Sequence, residues 1–215
     1  MILKTVKTAL NNDIQLIGKN NRAGKVLVIG AVHGDEPQGE FLIRNYLIKQ
    51  AEIAENILFI PALNPDGLKL NIRTNSCGID INRNFPAKNW QKSDKIDEKG
   101  DVNRYFGGDY PNSETETKFV IGVIEQYEPS LIITLHTPFK VVNFDGPAGD
   151  ISVKIGQIWG YPVESSIGYP TPGSFGTWAG VERNIPILTI EMDETIPLQD
   201  LVLPFENMID FLKQF

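Results

Sequence analysis

Residues 25–36 read KVLVIGAVHGDE and residues 130–137 read SLIITLHT, two apolar runs rich in Val and Ile that each lead into a histidine. NILFIPAL (56–63) and IPILTIEM (185–192) repeat the apolar pattern with other endings. Runs of this length, bounded by polar residues, Gly or Pro, predict strands buried on both faces. Helical patterns lie between them. Within residues 38–50, Phe41, Leu42, Tyr46 and Leu47 recur at three-to-four spacing. Ser113, with Glu116 three residues on, has the form of a capping box, and Phe119, Val120, Val123, Ile124 and Tyr127 make the apolar stripe that follows. Residues 151–159 and 201–212 read the same way. Strands alternating with helices predict an α/β domain with a mostly parallel or mixed sheet. No linker or internal repeat divides the chain, so residues 1–215 are read as one domain.

The gross properties exclude several classes. With a formal net charge of −7, the 215-residue chain has no general excess of Lys or Arg to attract nucleic acid or an anionic membrane. No stretch approaches the roughly 18 apolar residues of a membrane span. The first twenty residues lack the uninterrupted apolar core of a signal peptide. Cys77 is the only cysteine, which rules out an internal disulfide and a cysteine-rich metal cluster, and a reducing cytoplasm is the expected compartment.

The chain has only two histidines, His33 and His136, and both follow a predicted buried strand. In open α/β sheets ligands bind beyond the carboxyl ends of strands. A single histidine there is more often structural, and the His-x-x-Glu pattern of His33 and Glu36 is common by chance. Two of two at strand ends, with Glu36 beside the first, point instead to a His₂Glu metal site with a fourth position open to water. Glu191 ends the fourth apolar run, where a carboxylate beside metal-activated water can act as general base and then acid. Without the histidines, Glu191, Asp193 and Glu194 would read as a solvated loop.

Residues 69–111 are polar, rich in Asn, Asp and Gly, and without regular period, as functional loops often are. Asn64-Pro65-Asp66-Gly67 ahead of them reads as a turn. Arg73 and Arg83 fall in this region of little apolar content. Their planar donor forks match a carboxylate, which beside a metal suggests an acidic peptide end.

Taken together, HGDE, NPDG, the Arg73 segment, DINRNF, LHT and IEM resemble, in order and approximate spacing, the zinc carboxypeptidase family, of the carboxypeptidase A type. The likeness runs from about Val26 to Met192. It implies a mixed eight-stranded sheet flanked by helices, and one zinc per chain held by His33, Glu36 and His136. It further implies Arg73 as the group that polarises the scissile carbonyl and stabilises the oxyanion. Asn82 and Arg83 would grip the substrate's terminal carboxylate, and Glu191 would be general base and acid. GIDINRNFPAKNW (78–90) and GYPTPGSFGTW (168–178) resemble a narrower branch, the bacterial murein peptide amidases, which cut the γ-D-glutamyl–meso-diaminopimelate bond of recycled cell-wall peptides. That branch implies a small murein peptide as substrate. Three positions depart from the pattern. Tyr169 stands near, though not by ungapped counting at, the place of the family's mobile tyrosine. Asp35 replaces an arginine of digestive members, and Thr137 stands where aspartate is expected. Two alternatives remain open at this point: an aspartoacylase or succinylglutamate desuccinylase type deacylase, and a non-catalytic wall-peptide binding protein.

Overall fold

A computed structural model describes residues 1–19, 25–50, 52–97, 99–166 and 168–214. The four apolar runs form the parallel centre of the sheet: β3 (Val26–Ile29), β4 (Ile57–Ile60), β5 (Leu131–His136) and β8 (Ile187–Glu191). More polar strands extend both edges: β1 (Ile2–Lys7) and β2 (Asp13–Ile17) on one side, β6 (Val141–Asp145) and β7 (Val163–Glu164) on the other. The order is β1-β2-β4-β3-β5-β8-β6-β7, with β6 antiparallel to β8. This is the eight-stranded mixed sheet that the resemblance implies, and the mostly parallel or mixed sheet expected from the apolar runs. The outermost strands β1 and β7 carry weaker sequence signals because they are only partly buried.

Alternate residues of a strand face opposite sides of a sheet, and the core divides accordingly. Leu27, Ile29, Leu58, Ile60, Ile132 and Ile187 pack with helix α3 (Thr115–Tyr127), Phe175 and Trp178. Val26, Val28, Phe59, Ile133, Leu188 and Ile190 pack on the other face against α1 (Gln38–Lys49), α4 (Gly149–Trp159) and α5 (Val202–Leu212). The first face is apolar only part of the way. Toward the carboxyl ends Ile132 gives way to Thr134 and His136, and Ile187 to Thr189 and Glu191.

Two local readings are corrected. Asn64-Pro65-Asp66-Gly67 is a helix start: α2 (Pro65–Leu70) has Pro65 in its first turn, and Asn64 Oδ1 accepts the Gly67 N–H at 2.9 Å. The capping box of Ser113 and Glu116 does not form. Helix α3 begins at Thr115, and the Ser113 hydroxyl donates to Glu114 at 2.6 Å. The N–H groups of Ser113 and Glu114 go to the buried Asn84 Oδ1, at 3.1 and 3.2 Å, and Thr117 Oγ1 donates to the same atom at 3.0 Å. A residue 29 positions upstream of Ser113 has displaced the local cap. Asn84 also donates through Nδ2 to Gly107 O and Ser113 Oγ, so one amide ties the long polar segment to α3. Much of that segment is irregular as expected, with one 3-10 turn over Ile81–Arg83.

Candidate active site

His33 and Glu36 lie in the turn between β3 and α1, and His136 is the last residue of β5. Close packing sets the turn: a Cβ on Gly34 would come within 2.0 Å of the Gly67 backbone, so only glycine lets it rest on α2. Gly34 N–H donates to Arg73 O at 3.2 Å, which brings the Arg73 side chain alongside Glu36. On the next strand Glu191 is the register partner of His136, and Met192 N–H donates to His136 O at 2.7 Å. The turn and two adjacent strand ends thus deliver all four residues to one place.

The three predicted ligands are buried and converge. His33 Nδ1 lies 2.8 Å from Glu36 Oε1, His136 Nδ1 lies 2.9 Å from Glu36 Oε2, and the two Nδ1 atoms are 3.2 Å apart. With metal–nitrogen distances of 2.0–2.1 Å, neighbouring corners of a tetrahedral zinc site stand about 3.3–3.4 Å apart. The pair of imidazoles and the carboxylate therefore fit a zinc-sized cation. Asp80 backs the cluster. Its Oδ1 is 3.3 Å from His33 Nε2, off the line of a good hydrogen bond, and its Oδ2 accepts Arg73 Nε at 3.0 Å. A carboxylate behind a ligand histidine orients the ring and raises its basicity. Burial opposes charge on His33, but Glu36 and Asp80 on its two sides outweigh it and raise its pKa to about 9. Asp80 is fully buried, yet His33 and Arg73 hold it well below the usual carboxylate range.

Glu191 faces the same cavity, and its buried Oε2 has no hydrogen-bond partner among the described residues. Burial, with Glu36 as a like charge nearby, pushes its pKa up to about 8. Arg73 pulls the other way. The carboxyl is therefore poised to exchange a proton near neutrality, as an acid–base group must.

Arg83 is buried, lines the cavity and meets no carboxylate within salt-bridge distance among the described residues; its Nη1 donates to Asn82 O at 2.7 Å. Asn82 Oδ1 accepts the Phe175 N–H at 2.9 Å, which fixes the amide plane and leaves Nδ2 to the cavity. The half-exposed Tyr105 ring lies 5.1 Å from the Arg73 guanidinium and 5.8 Å from that of Arg83. Tyr169 lines the rim beside them. Asp35 is paired with Arg104 at 2.8 Å, so a guanidinium stands at this edge, supplied by the polar segment. Thr137 N–H donates weakly to Glu36 Oε2 at 3.4 Å.

Every residue the sequence nominated for the site lines this one cavity of about 340 Å³. Sequence reasoning passed over Asp80, Arg104 and Tyr105. Asp80 stands inside the quoted DINRNF motif and is a visible clue; Arg104 and Tyr105 lie in aperiodic sequence that gave none.

A profile of the zinc carboxypeptidase family matches residues 5–152. The chain belongs to the zinc carboxypeptidase family. It is thus a hydrolytic metalloenzyme, which sets the non-catalytic alternative aside and separates it from the deacylases. Murein peptide amidase A of Escherichia coli K12 is 31% identical over 171 residues, covering 77% of this chain and 69% of that protein. The Vibrio campbellii protein of the same name is 31% identical over 179 residues, covering 77% and 68%. The crystal structure of a murein-tripeptide amidase from Escherichia coli O157 superposes with a TM-score of 0.82 at 27% identity, covering 96% of this chain and 89% of that one. Thrombin-activatable fibrinolysis inhibitor shares the fold, with a TM-score of 0.73 at 15% identity over 99% of this chain and 72% of that one. No helix among the described residues is long and apolar enough to cross a membrane.

Proposed function

We propose that this chain hydrolyses the amide bond between γ-D-glutamate and meso-diaminopimelate in small murein peptides, in the cytoplasm, with one zinc per chain on His33, Glu36 and His136. The observation that carries the reading is the meeting, in one cavity, of that buried cluster with Glu191 and the Asn82–Arg83 pair. The likeness to murein peptide amidases supports the choice of substrate.

A zinc ion, when bound, polarises the scissile carbonyl and acidifies a water beside it. Glu191 Oε2 takes the proton of the attacking water and later delivers it to the departing nitrogen. Arg73, held by Asp80 at 3.0 Å, offers its outer N–H groups to the oxygen on which negative charge develops. Arg83 and the Asn82 amide grip the free carboxylate of the leaving residue through charge-assisted hydrogen bonds. Tyr169 packs over the bound peptide at the rim.

The test is incubation of zinc-loaded protein with L-Ala-γ-D-Glu-meso-diaminopimelate and mass analysis of the products. Release of free diaminopimelate with L-Ala-D-Glu is expected. Intact tripeptide, or cleavage at the L-Ala bond, overturns the proposal.

A further inference from the structure

The cavity extends to both sides of the metal-binding cluster. Strand β6 runs antiparallel to β8, so Asn143 and Asp145 share a face of the sheet with Thr189 and Glu191 and floor one side. The proposed carboxylate clamp belongs to that side. Asn82 Oδ1 accepts the Phe175 N–H at 2.9 Å, and the next residue, Gly176, packs on Asp145. The leaving residue is therefore seated over β8 and β6. In the sheet order β3-β5-β8-β6, the turn after β3 lies at the opposite end, three strand spacings or about 14 Å from β6. The acyl part of a peptide whose scissile bond lies at the cluster must run toward that turn.

Asp35 stands in that turn beside Glu36, and Arg104 Nη2 donates to its Oδ2 at 2.8 Å. Both residues line the cavity. Arg104 directly precedes Tyr105, whose ring lies 5.1 Å from the Arg73 guanidinium, so the polar segment brings it close to the reacting centre. Besides the two histidines, three cationic residues line the cavity among the described residues, all of them arginines. Arg73 is held by Asp80 and faces Glu36, and Arg83 belongs to the clamp. The reaction proposed above leaves Arg104 without a role. Its pair with Asp35 occupies one N–H of a guanidinium that carries five. Both side chains stay open to water, at 58% and 31% exposure, and a pair of this kind is weak. It aims the guanidinium without using up its donors, for Arg104 makes no other side-chain hydrogen bond among the described residues.

We infer that Arg104, aimed by Asp35, is the specificity-determining residue for the acyl side: it binds the free α-carboxylate of a γ-linked glutamyl residue. The inference rests on the cavity being the peptidase site just proposed, and it identifies how that site reads the γ linkage. A glutamyl residue joined through its side chain spends the γ-carboxyl in the scissile amide and keeps its α-carboxyl as an anion. An α-linked residue with an uncharged side chain has no such anion beside the scissile bond. The planar fork of Arg104 matches a carboxylate. Asp35 offsets the charge of Arg104 at a distance, so what the site offers is directional bonding at contact.

The test compares L-Ala-γ-D-Glu-meso-diaminopimelate with the same peptide amidated at the glutamyl α-carboxylate. kcat/KM is measured on zinc-loaded wild type and Arg104→Met. Calorimetric Kd is measured on both proteins carrying Glu191→Gln as well, so that binding is read without turnover. With Arg104 present, the free acid is expected to be favoured by at least about tenfold in both measurements. Arg104→Met, which keeps the length and the apolar stem, should bring that ratio close to one at unchanged zinc content. Equal affinity of the Arg104-containing protein for the two peptides overturns the assignment, whether or not either is cut. A preference that survives Arg104→Met also overturns it. A binding preference that Arg104→Met abolishes, with neither peptide cleaved by wild type, upholds the assignment and overturns the proposed reaction instead. Failure to bind either peptide overturns both.

Discussion

The two ends of the cavity solve opposite electrostatic problems. At the metal end, charges are dense and already matched: Glu36 sits between two imidazoles with Arg73 at 3.6 Å, and Asp80 takes Arg73 at 3.0 Å. Neutralising partners for Glu36 and Asp80 are built in there, while Glu191 Oε2 is left without a hydrogen-bond partner among the described residues. At the floor, Asp145 has none. The difference separates a cluster whose charges are matched within the protein from a carboxylate that lines the cavity without a protein partner among the described residues. On a protein of net charge −7, the arginines of the cavity place positive charge locally where the overall field supplies none.

The comparison breaks most completely if the metal end is dismantled. His33→Ala and His136→Ala should each abolish bound zinc and reduce hydrolysis to background, since two remaining ligands cannot complete a tetrahedral catalytic site. Elemental analysis showing a full zinc complement in either variant would sink the ligand assignment. Glu191→Gln should leave zinc and thermal stability intact while turnover drops on the order of 10²–10⁴-fold. Near-wild-type turnover would move the base elsewhere, with Glu194 and Asp193 next to be tried. A smaller effect is expected from the clamp. Arg83→Ala, or amidation of the leaving residue's carboxylate, should lower kcat/KM by about tenfold or more at unchanged zinc content. Equal rates on free-acid and amidated peptides would refute the clamp.

The mildest effect sharpens the contrast between buried acids. Glu116 is also buried but is absent from the cavity lining. Burial first, with Glu114 adding to it, raises its pKa from 4.5 to about 7. Between those values the folded protein keeps a proton that the unfolded chain releases, so stability falls as pH rises through this window and levels off above it. The loss is on the order of 3 kcal/mol. Glu116→Gln should remove this slope in urea unfolding at pH 5 and pH 8, without altering turnover. An unchanged pH dependence would show that Glu116 ionises normally.

Much of the metal end was legible in the chain because its chemistry terminates strong strand signals. His33, His136 and Glu191 each follow an uninterrupted apolar run, and such runs become the buried parallel centre of a sheet whose carboxyl ends converge. The cap of α3 was not legible. Ser113 and Glu116 satisfy a local rule, yet Asn84 takes the N–H groups of Ser113 and Glu114 from 29 residues before Ser113, and no local pattern encodes that approach. Asp80 was visible as a motif residue, but its place behind His33 depends on the path of the polar segment.

Strand β6 marks the boundary between the two kinds of information. Val-Val-Asn-Phe-Asp (141–145) alternates as a half-polar strand should, with Val142 and Phe144 on one face and Asn143 and Asp145 on the other. The sequence by itself determined that alternation, together with the central strands, the two histidines and the acid at their ends. Which face of β6 meets water was decided only by tertiary structure. A polar face ordinarily points to solvent; here antiparallel pairing with β8 and the glycines of the overlying helix turn Asn143 and Asp145 into the cavity. Alternation fixes which residues lie together, but only pairing partners and packing fix what they face.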